Sequence, residues 1–293
     1  MILRTNVKLN LGLRVLGRRP DGYHDLETLF VPCDAFGDIL EVEPLMTRPK
    51  GCHPEAPACR LEISGPEYRG WAPEDDLVAK AWRLLREETL QDPALSAICP
   101  GGLPAVHVRL EKHSPVGAGL GGGSADGAFM LKALNDLFGL GLSEDALATR
   151  AARLGSDCAF FIYNRPMFAT GRGEVLEPFD IDLSGYRIEV AIPEGVAVST
   201  REAYAGLDGE ARSSVRPCSS RPESRDGSST PSLLEALKLP VEQWKDAVVN
   251  DFERSVFPLH PEIAALKAEM YAKGAVYAAM TGSGSAVFGI IPQ

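Results

Sequence analysis

The sequence predicts an α+β protein of two domains, residues 1–180 and 181–293, on three observations. The chain of 293 residues is long enough for one large domain or for two. Segments with strand-like and helix-like apolar periodicity are mixed, without a regular strand–helix–strand series. The pattern changes near residue 180, where a second set of strands and helices begins. With 45% hydrophobic and 24% charged residues, the composition is that of a globular protein.

The charge balance limits the kinds of partner. The 30 basic residues stand against 40 acidic ones, which gives a formal net charge of −10. A broad nucleic-acid-binding surface needs basic residues to neutralise phosphates, so we expect no nucleic-acid partner. The negative net charge does not exclude a small phosphorylated substrate, because a local glycine-rich pocket is enough to bind it. The apolar runs are too short to span a bilayer and the first residues lack a secretory pattern, so we expect a cytoplasmic protein without a membrane partner.

The six cysteines predict reduced thiols rather than disulfides. A chain of this length needs no disulfide staples, and no export signal is expected. Cys52, His53 and Cys59 lie close together in the sequence. A metal site would need a second pair of ligands at matching spacing, which the sequence lacks, so we expect no metal bound by the protein alone.

The first predicted elements are two strands joined by a turn. In "NVKLNLGLRVL", apolar residues alternate with Lys8 and Asn10, which predicts a strand with those two side chains on one face. Pro20, Asp21 and Gly22 form a turn signal, and "HDLETLFV" has the pattern of the next strand. A lone lysine on a strand is usually solvated, which is the plain alternative for Lys8.

Helices and strands alternate irregularly up to residue 180. Residues 45–60 have little periodicity and are predicted as a loop, "DDLVAKAWRLLREE" predicts an amphipathic helix, and "PAVHVRLEK" predicts a strand. A glycine loop then leads into a helix that ends near Phe138, before Gly139. The segment "SEDALATRAARLG" predicts a helix capped by Ser143, and "CAFFIYN" and "PMFATG" predict a pair of strands.

The second part of the chain begins with the predicted strand "YRIEVAIP". Ser199 and Glu202 form a capping box that starts a helix. Residues 208–231 are rich in serine, arginine and proline and are predicted as a mobile loop. The segment "HPEIAALKAEMYAKG" predicts a helix, and "AVYAAM" and "SAVFGII" predict strands on either side of a tight turn, "TGSG".

The glycine-rich stretch "SPVGAGLGGGSADGAFMLKAL", residues 114–134, predicts a phosphate-binding loop. It lies between a strand and a helix, and the free N–H groups of a helix N-terminus attract anions. Glycines permit positive φ and let phosphate oxygens approach the main chain. The stretch lacks the lysine of the common P-loop, and Gly117, Gly119 and Gly122 lack the setting of a dinucleotide site. A flexible linker is disfavoured by the flanking elements and by Leu120 at its centre.

Four segments resemble the GHMP kinases, a family of small-molecule kinases. The loop "SPVGAGLGGGSADGA" is similar to the family's P-x-G-x-G-L-G-[GS]-[GS]-[SA] motif, and "MTGSGSAVFGI" resembles its third motif. The segments "NVKLNLGLRVLGRRPDGYHDLETLF" and "LGSDCAFFI" are similar to motifs of the branch that phosphorylates 4-diphosphocytidyl-2-C-methyl-D-erythritol. The resemblance implies an N-terminal domain like ribosomal protein S5 domain 2 and a ferredoxin-like C-terminal α/β sandwich. Because the third motif ends close to Gln293, we expect that second domain to be shortened.

The resemblance implies an ATP-dependent kinase. ATP would phosphorylate the tertiary 2-hydroxyl of 4-diphosphocytidyl-2-C-methyl-D-erythritol, giving ADP and the 2-phosphate, in the non-mevalonate route to isoprenoid precursors. Mg²⁺ is implied with ATP, carried by phosphates and water rather than by a protein cage. Two alternatives stay open: another GHMP kinase or the related diphosphomevalonate decarboxylase, and a non-catalytic nucleotide-binding relative. The "DGYH" segment argues against the first, and Lys8 and Asp157 argue against the second.

The resemblance also implies roles for individual residues. Asp157 would accept the proton of the hydroxyl, Lys8 would keep Asp157 ionised and steady the incoming phosphoryl group, and Asn10 would help to place the polyol. A plain turn at a helix end is the alternative for Asp157. Tyr23 and His24 would hold the pyrimidine, through stacking and edge hydrogen bonds respectively.

Further positions are assigned to the base and the phosphates. Tyr204 would stack on the opposite face of the base, with a core residue as the alternative, and Thr200 would bond a phosphate at a helix N-terminus. The substrate diphosphate would meet backbone N–H groups of Gly282, Ser283 and Gly284, for which a plain hairpin turn is the alternative. The residues implied to wrap the triphosphate are Pro115, Gly117, Gly119, Leu120, Gly121, Gly122, Gly123 and Ser124.

Two positions depart from the family pattern. Asp76 stands where many relatives have an asparagine near the adenine, and a carboxylate cannot donate a hydrogen bond, so the adenine contact is in question there. Gly127 replaces a common alanine in the first helical turn, which costs about 1 kcal/mol in helix propensity.

Overall fold

The computed structural model describes residues 1–45, 59–213 and 231–293, with only the backbone described for 208–213. The elements, in chain order, are β1 (Ile2–Arg4), β2 (Val7–Arg18), β3 (His24–Cys33), β4 (Ile39–Pro44), β5 (Cys59–Ser64), α1 (Leu77–Gln91), α2 (Pro93–Ile98), β6 (Val106–Glu111), α3 (Gly122–Phe138), α4 (Glu144–Leu154), α5 (Cys158–Tyr163), β7 (Met167–Thr170), β8 (Val175–Pro178), β9 (Tyr186–Ala191), α6 (Thr200–Ser213), α7 (Leu233–Ala236), α8 (Phe252–Val256), α9 (Pro261–Ala272), β10 (Tyr277–Met280) and β11 (Val287–Pro292).

The chain forms two compact units, each drawn from distant parts of the sequence. Unit 1 comprises Met1–Val7, Phe36–Val116 and Gly121–Asn164. Unit 2 comprises Lys8–Ala35, Gly117–Leu120 and Arg165–Gln293. The glycine-rich stretch 114–134 therefore starts in unit 1, contributes residues 117–120 to unit 2 and returns to unit 1. The predicted domains, 1–180 and 181–293, are each continuous in the sequence, unlike these units. The domain boundary at residue 180 stays a prediction.

Unit 1 is built on a four-stranded sheet in the order β1–β4–β6–β5. Strands β5 and β6 are parallel, whereas β4 is antiparallel to both of its neighbours. On β6 the apolar face, Val106, Val108 and Leu110, is completely buried, as the alternation predicts. Helices α1 and α3 pack against each other, and α3 also contacts β4, so the start of α3 is held by the core of this unit.

Unit 2 contains two sheets, ordered β2–β3–β7–β8 and β10–β11–β9. The second sheet is antiparallel throughout. Its apolar residues pack with helices α8 and α9 in one core cluster, which includes Phe252, Val256, Ile263, Met280 and Val287. The turn between β10 and β11 is therefore anchored at both ends by buried strands.

The mixed architecture confirms the predicted α+β class. Periodicity identified most elements: the segments predicted as strands before residue 120 form β2, β3 and β6, and the helix after the glycine loop ends at Phe138 with Gly139 as its cap. Ser143 caps α4 through a hydrogen bond from the Ala146 N–H group, as predicted.

The prediction of a strand at "CAFFIYN" is wrong, because this segment forms the short helix α5. Its residues from Cys158 to Ile162 are all buried. A short segment that is apolar on every side has no periodicity that separates a buried strand from a buried helix. The helix ends where Asn164 takes a left-handed conformation, with φ of 47°.

Two loop predictions need correction at their edges. The predicted loop 45–60 overlaps strand β5, because Cys59 and Arg60 already pair with β6. The predicted loop 208–231 starts too early, since helix α6 continues to Ser213. Residues 46–58 and 214–230 lie outside the described residues, together with Cys52, His53 and Cys218.

Gly127 has a packing role that propensity does not capture. A Cβ atom at this position would lie 2.9 Å from the Cβ atom of Leu77 on α1. Such a distance is too short for two carbon atoms, so an alanine would push α3 away from α1. The cost in helix propensity is therefore offset by close contact between the two helices.

Two predictions from the sequence concern membrane-spanning helices and the state of the cysteines. Every helix within 1–45, 59–213 and 231–293 falls short of the length or the apolar character that a bilayer-spanning segment needs. The described cysteines, Cys33, Cys59, Cys99 and Cys158, are free thiols.

Candidate active site

The glycine loop of unit 2 packs backbone to backbone against the turn Thr281–Gly284. Gly119 has a φ of +78°, and a Cβ atom there would overlap the carbonyl oxygen of Thr281. The Ala286 N–H group donates to the carbonyl oxygen of Ala118 at 3.1 Å, which ties the loop to the strand after the turn. Gly282 also has a positive φ, of +56°. The turn is therefore part of a joint structure with the loop and not an isolated hairpin.

Gly117 is an open position of the loop. Gly117 has a φ of +76°, and apart from its chain neighbours no atom of the described residues lies within 4 Å of a Cβ atom built there. Leu120, in contrast, is buried, and its carbonyl oxygen accepts a hydrogen bond from the backbone N–H group of Lys8 at 2.9 Å. The loop thus has one end fixed to β2 and an exposed glycine whose backbone a ligand can approach.

Lys8 is buried, which rules out the plain alternative of a solvated charge. The residue is only 4% exposed. Its Nζ atom donates to Oδ1 of Asn10 at 2.6 Å and lies 5.2 Å from the centroid of the Phe30 ring. It also lies beside Gly282, where it would be 3.5 Å from an added Cβ atom. Removing an ammonium group from water is costly, so this position needs a specific function or specific partners.

Asn10 connects Lys8 to two buried threonines. Its Oδ1 atom accepts from Thr281 Oγ1 at 3.2 Å as well as from Lys8, and its Nδ2 atom donates to Thr28 Oγ1 at 2.9 Å. Its backbone N–H group donates to Thr281 Oγ1 at 3.0 Å. The contacts described here hold Lys8 in place, and the predicted contact of Asn10 with the substrate polyol stays a prediction.

Asn250 is a site residue that the sequence motifs missed. Its side chain is buried and donates to the carbonyl oxygens of Met280, at 2.7 Å, and Gly282, at 2.8 Å. Its Oδ1 atom accepts from the Phe252 N–H group at 3.0 Å. It therefore fixes the conformation of the turn, but a single asparagine after an apolar run carries no signal in the sequence.

The residues predicted to bind the pyrimidine contact each other or a neighbouring cation. The His24 and Tyr204 rings are stacked, with centroids 4.5 Å apart and planes at 15°. Tyr204 also packs edge-on against Phe252 in the core cluster, which supports part of the core alternative. Tyr23 is 57% exposed, and Arg172 Cζ lies 4.7 Å from the centroid of its ring. In this conformation His24 covers one face of Tyr204, so a base can stack on that face only after His24 moves.

The start of helix α6 meets the turn between β10 and β11. The hydroxyl groups of Thr200 and Ser283 are 3.2 Å apart. Ser199 accepts from the Glu202 N–H group at 3.1 Å, which is one of the two hydrogen bonds of the predicted capping box. Two hydroxyl groups thus lie side by side at a helix N-terminus, an arrangement suited to phosphate oxygens.

In unit 1 the glycine loop becomes the first turn of α3. Gly121, with φ of 76°, is the N-cap of the helix, and a Cβ atom on Gly122 would lie 2.8 Å from that of Ser114. Gly123 is exposed and open, and Ser124 is half-buried. Burial raises the pKa of the Cys158 thiol to about 12, against the opposing effect of its hydrogen bond with Ser124. That thiol is therefore protonated near neutral pH and is no nucleophile.

Asp157 immediately precedes α5 and is half-buried. It occupies the N-cap position, yet its side chain makes no capping hydrogen bond to the helix. Asp157 therefore lies in a turn at a helix end, as the plain alternative describes, but its side chain does not cap the helix. Asp157 belongs to unit 1 and Lys8 to unit 2, and their catalytic roles stay predictions.

A buried charged cluster in unit 1 supports the end of the loop, and no sequence motif indicates it. The Lys112 ammonium group donates to the carboxyl groups of Asp38 and Asp126, the latter at 2.5 Å. Asp38 also accepts from the N–H groups of His113 and Ser114, at 2.6 and 2.7 Å. Asp126 lies in the first turns of α3, so the cluster joins the strand before the loop to the helix after it.

The three charges of this cluster balance only if one carboxyl group keeps a proton. Burial raises the pKa of Asp126 to about 8. Burial acts in the same direction on Asp38, but Lys112 and the two backbone N–H groups outweigh it and keep the pKa of Asp38 below its usual value. Burial opposes the charge of Lys112, yet both carboxyl groups together raise its pKa. Asp38 and Lys112 therefore form the ion pair, and Asp126 is the group that titrates.

We expect the free energy of unfolding to fall as pH rises from about 4 to about 8, because folded Asp126 keeps a proton that the unfolded chain releases. Asp126→Asn, which cannot ionise, should reduce this slope. Urea unfolding at about pH 5 and about pH 8 measures the difference. Asp136→Asn on the exposed side of α3 is the control and should keep the slope of the wild type. An unchanged slope in Asp126→Asn would show that Asp126 does not titrate in this range.

Asp76 has a structural role at the start of α1. Its Oδ1 atom accepts from the Val78 N–H group and caps α1, and its Oδ2 atom accepts from Trp71 Nε1, both at 2.9 Å. Both carboxylate oxygens of Asp76 thus accept hydrogen bonds from nearby residues.

Among the described residues no group of three or more His, Cys, Asp and Glu side chains is arranged to hold a metal ion.

Two family models match the chain. The model described as GHMP kinases N terminal domain matches residues 76–165, and the model described as GHMP kinases C terminal matches residues 233–293. Together they include the phosphate loop, Asp157 and the turn after β10. The first match begins at Asp76, the residue that caps α1.

Individual relatives match along the whole chain. A Bacteroides thetaiotaomicron protein named 4-diphosphocytidyl-2-C-methyl-D-erythritol kinase is 46% identical over 292 residues, which is 99% of this chain and 92% of that relative. A Parabacteroides distasonis protein of the same name is 43% identical, over 100% of this chain and 92% of that relative. A crystal structure of 4-(cytidine 5'-diphospho)-2C-methyl-D-erythritol kinase has a TM-score of 0.69 and 31% identity, over 99% of this chain and 90% of that one. The chain belongs to the GHMP kinases, in the family of the 4-diphosphocytidyl-2-C-methyl-D-erythritol kinases.

Proposed function

We propose that this protein transfers the γ-phosphoryl group of ATP to the tertiary 2-hydroxyl of 4-diphosphocytidyl-2-C-methyl-D-erythritol. The products are ADP and the 2-phosphate. The observation that carries the proposal is the 46% identity along 99% of the chain to a relative named for this substrate. The buried Lys8 and the packed loop and turn of unit 2 support it, because a kinase needs a fixed cation and exposed backbone donors near phosphate.

The proposed catalytic residues are Asp157 and Lys8. Phosphoryl transfer is largely dissociative, so the protein mainly positions the reactants and stabilises charge on the transferred group. Asp157 would accept the hydroxyl proton late in the reaction. Lys8 would place its positive charge next to the hydroxyl and the phosphoryl oxygens.

The proposed phosphate site is the glycine loop. Backbone N–H groups from Gly117 to Ser124, including the first turn of α3, would donate to the triphosphate. The hydroxyl oxygen of Ser124 is the kind of hard ligand that Mg²⁺ accepts. Mg²⁺ bound mainly by the phosphates and water would neutralise the phosphate charge.

The proposed substrate site combines aromatic side chains with hydroxyl and backbone donors. Tyr23, His24 and Tyr204 would hold the cytosine, while Thr200 and the N–H groups of 282–284 would bind the diphosphate. Asn10 would orient Lys8 and contact the polyol. The cytoplasmic location and the division at residue 180 also stay predictions.

The acceptor spectrum tests the function directly. Purified protein with Mg-ATP should release ADP with 4-diphosphocytidyl-2-C-methyl-D-erythritol, and neither mevalonate nor homoserine should replace it. Turnover with mevalonate or homoserine in place of the cytidylyl compound would assign the chain to another GHMP activity. ATP binding without turnover of any acceptor would favour the non-catalytic alternative.

Tyr204→Ala should raise KM for the cytidylyl substrate about 5- to 150-fold, since loss of base stacking costs about 1–3 kcal/mol. KM for ATP should stay near the wild-type value. Tyr204→Phe keeps the stacking surface and is the matched control. Since Tyr204 also packs on Phe252, the thermal midpoint of each variant separates a binding defect from unfolding. An unchanged KM in a folded Tyr204→Ala variant would remove Tyr204 from the substrate site.

A further inference from the structure

A chain of hydrogen bonds in unit 2 runs from a backbone carbonyl to the Lys8 ammonium group. Thr28 lies on β3, is completely buried, and donates its hydroxyl hydrogen to the carbonyl oxygen of Gly12 at 2.6 Å. The same hydroxyl oxygen accepts from Asn10 Nδ2 at 2.9 Å. On its other side Asn10 accepts from Lys8 Nζ at 2.6 Å. Thr28 is thus linked to Lys8 through one asparagine.

The direction of each hydrogen bond in this chain is determined. The Gly12 carbonyl can only accept, so the Thr28 hydroxyl must donate to it. The Thr28 oxygen is then free to accept, and it selects the amide nitrogen of Asn10. The carboxamide oxygen must therefore face Lys8, which can only donate. The opposite orientation would place an N–H group against the ammonium group.

A second threonine holds the same carboxamide oxygen. Thr281 is completely buried, donates through Oγ1 to Asn10 Oδ1 at 3.2 Å, and accepts from the Asn10 N–H group at 3.0 Å. It belongs to the segment that packs on Gly119 of the phosphate loop. The orientation of Asn10 is therefore connected to the position of the loop by a short and buried path.

We propose that Thr28 and Thr281 are positioning residues, which orient Asn10 so that its carboxamide oxygen holds the Lys8 ammonium group for phosphoryl transfer. This inference rests on the proposed function, in which Lys8 acts on the transferred group. A lysine side chain has four rotatable carbon–carbon bonds, and a displacement of about 1 Å at a reacting group can cost about 100-fold in rate.

The test compares Thr28→Val with Thr28→Ser. Valine keeps the shape of threonine but cannot accept from Asn10, whereas serine keeps the hydroxyl group. We expect Thr28→Val to lower kcat about 10- to 100-fold with little change in KM for ATP, and Thr28→Ser to stay within about 3-fold of the wild type. A purely structural role would lower the thermal midpoint without this split between kcat and KM. A folded Thr28→Val variant with wild-type kcat would overturn the inference.

A second readout does not depend on activity. The ¹⁵N–¹H signal of the Lys8 ammonium group, assigned by its absence in Lys8→Arg, reports its hydrogen bond in the whole protein. This signal should shift or broaden in Thr28→Val and stay unchanged in Thr28→Ser. An unchanged signal in Thr28→Val contradicts the positioning role, even if the protein proves to phosphorylate another substrate. Normal kcat in Lys8→Ala would instead contradict the proposed role of Lys8, whatever the signal shows.

Discussion

Replacing Asp157 with asparagine should lower kcat about 10²- to 10⁴-fold, because the amide cannot accept the proton of the attacking hydroxyl. Asparagine has the same shape, and the Asp157 side chain makes no capping bond to α5, so the fold should persist. Steady-state ADP release with 4-diphosphocytidyl-2-C-methyl-D-erythritol measures the change. KM for ATP should stay close to that of the wild type, since this carboxylate is not proposed to bind the nucleotide.

The control for this substitution is Asp136→Asn. Asp136 is an exposed aspartate of the same unit, at the end of α3. The Asp136→Asn variant should turn over substrate at the wild-type rate. If Asp157→Asn remained within about threefold of the wild type in kcat, general-base catalysis by Asp157 would be wrong. Phosphoryl transfer would then depend on charge stabilisation alone.

Gly119→Ala should damage both stability and ATP use. Alanine is disfavoured at a φ of +78°, by about 1–3 kcal/mol, and its Cβ atom would overlap the Thr281 carbonyl oxygen. Because a carbonyl of the backbone cannot move as a flexible side chain can, the loop and the turn must separate. We expect kcat/KM for ATP to fall about 100-fold or more. Urea unfolding should show a loss of several kcal/mol beyond the strain of alanine at positive φ alone.

Gly117→Ala is the matched comparison, because its φ of +76° is nearly the same but the space around it is open. It should lose only the strain energy, about 1–3 kcal/mol. If phosphate approaches this backbone as proposed, its KM for ATP should still rise. Equal stability of the two variants would contradict the tight packing between loop and turn. An unchanged KM for ATP in Gly117→Ala would remove that position from the phosphate site.

Local sequence patterns determined much of the fold. The alternation in β2 and β6 and the caps of α3 and α4 were readable because each depends on neighbours within a few residues. Helix α5 was not, since a short segment buried on all sides has no polar face to set its period. The start of β5 at Cys59 was also hidden, because its pairing partner β6 lies far along the chain.

The candidate site divides in the same way. Motifs pointed to Lys8 and the glycine loop, but alternation alone did not reveal that Lys8 is buried. Its burial depends on Phe30, Asn10 and the turn near residue 281, which come together only in the fold. Asn250 and Thr28 were missed for the same reason, since a hydrogen bond between residues far apart in the chain produces no recognisable pattern in the sequence.

The central claim is that the tertiary 2-hydroxyl receives the phosphoryl group of ATP, and the proton-coupled ³¹P NMR spectrum of the product tests it most directly. The carbon that bears this hydroxyl has no hydrogen, so the new phosphomonoester signal should be a single unsplit line beside the unchanged diphosphate pair. One equivalent of ADP should appear with it. A monoester signal split by a neighbouring carbon-bound hydrogen would place the phosphate on another hydroxyl, and ADP without a monoester would mean hydrolysis instead of transfer; either result would contradict the account.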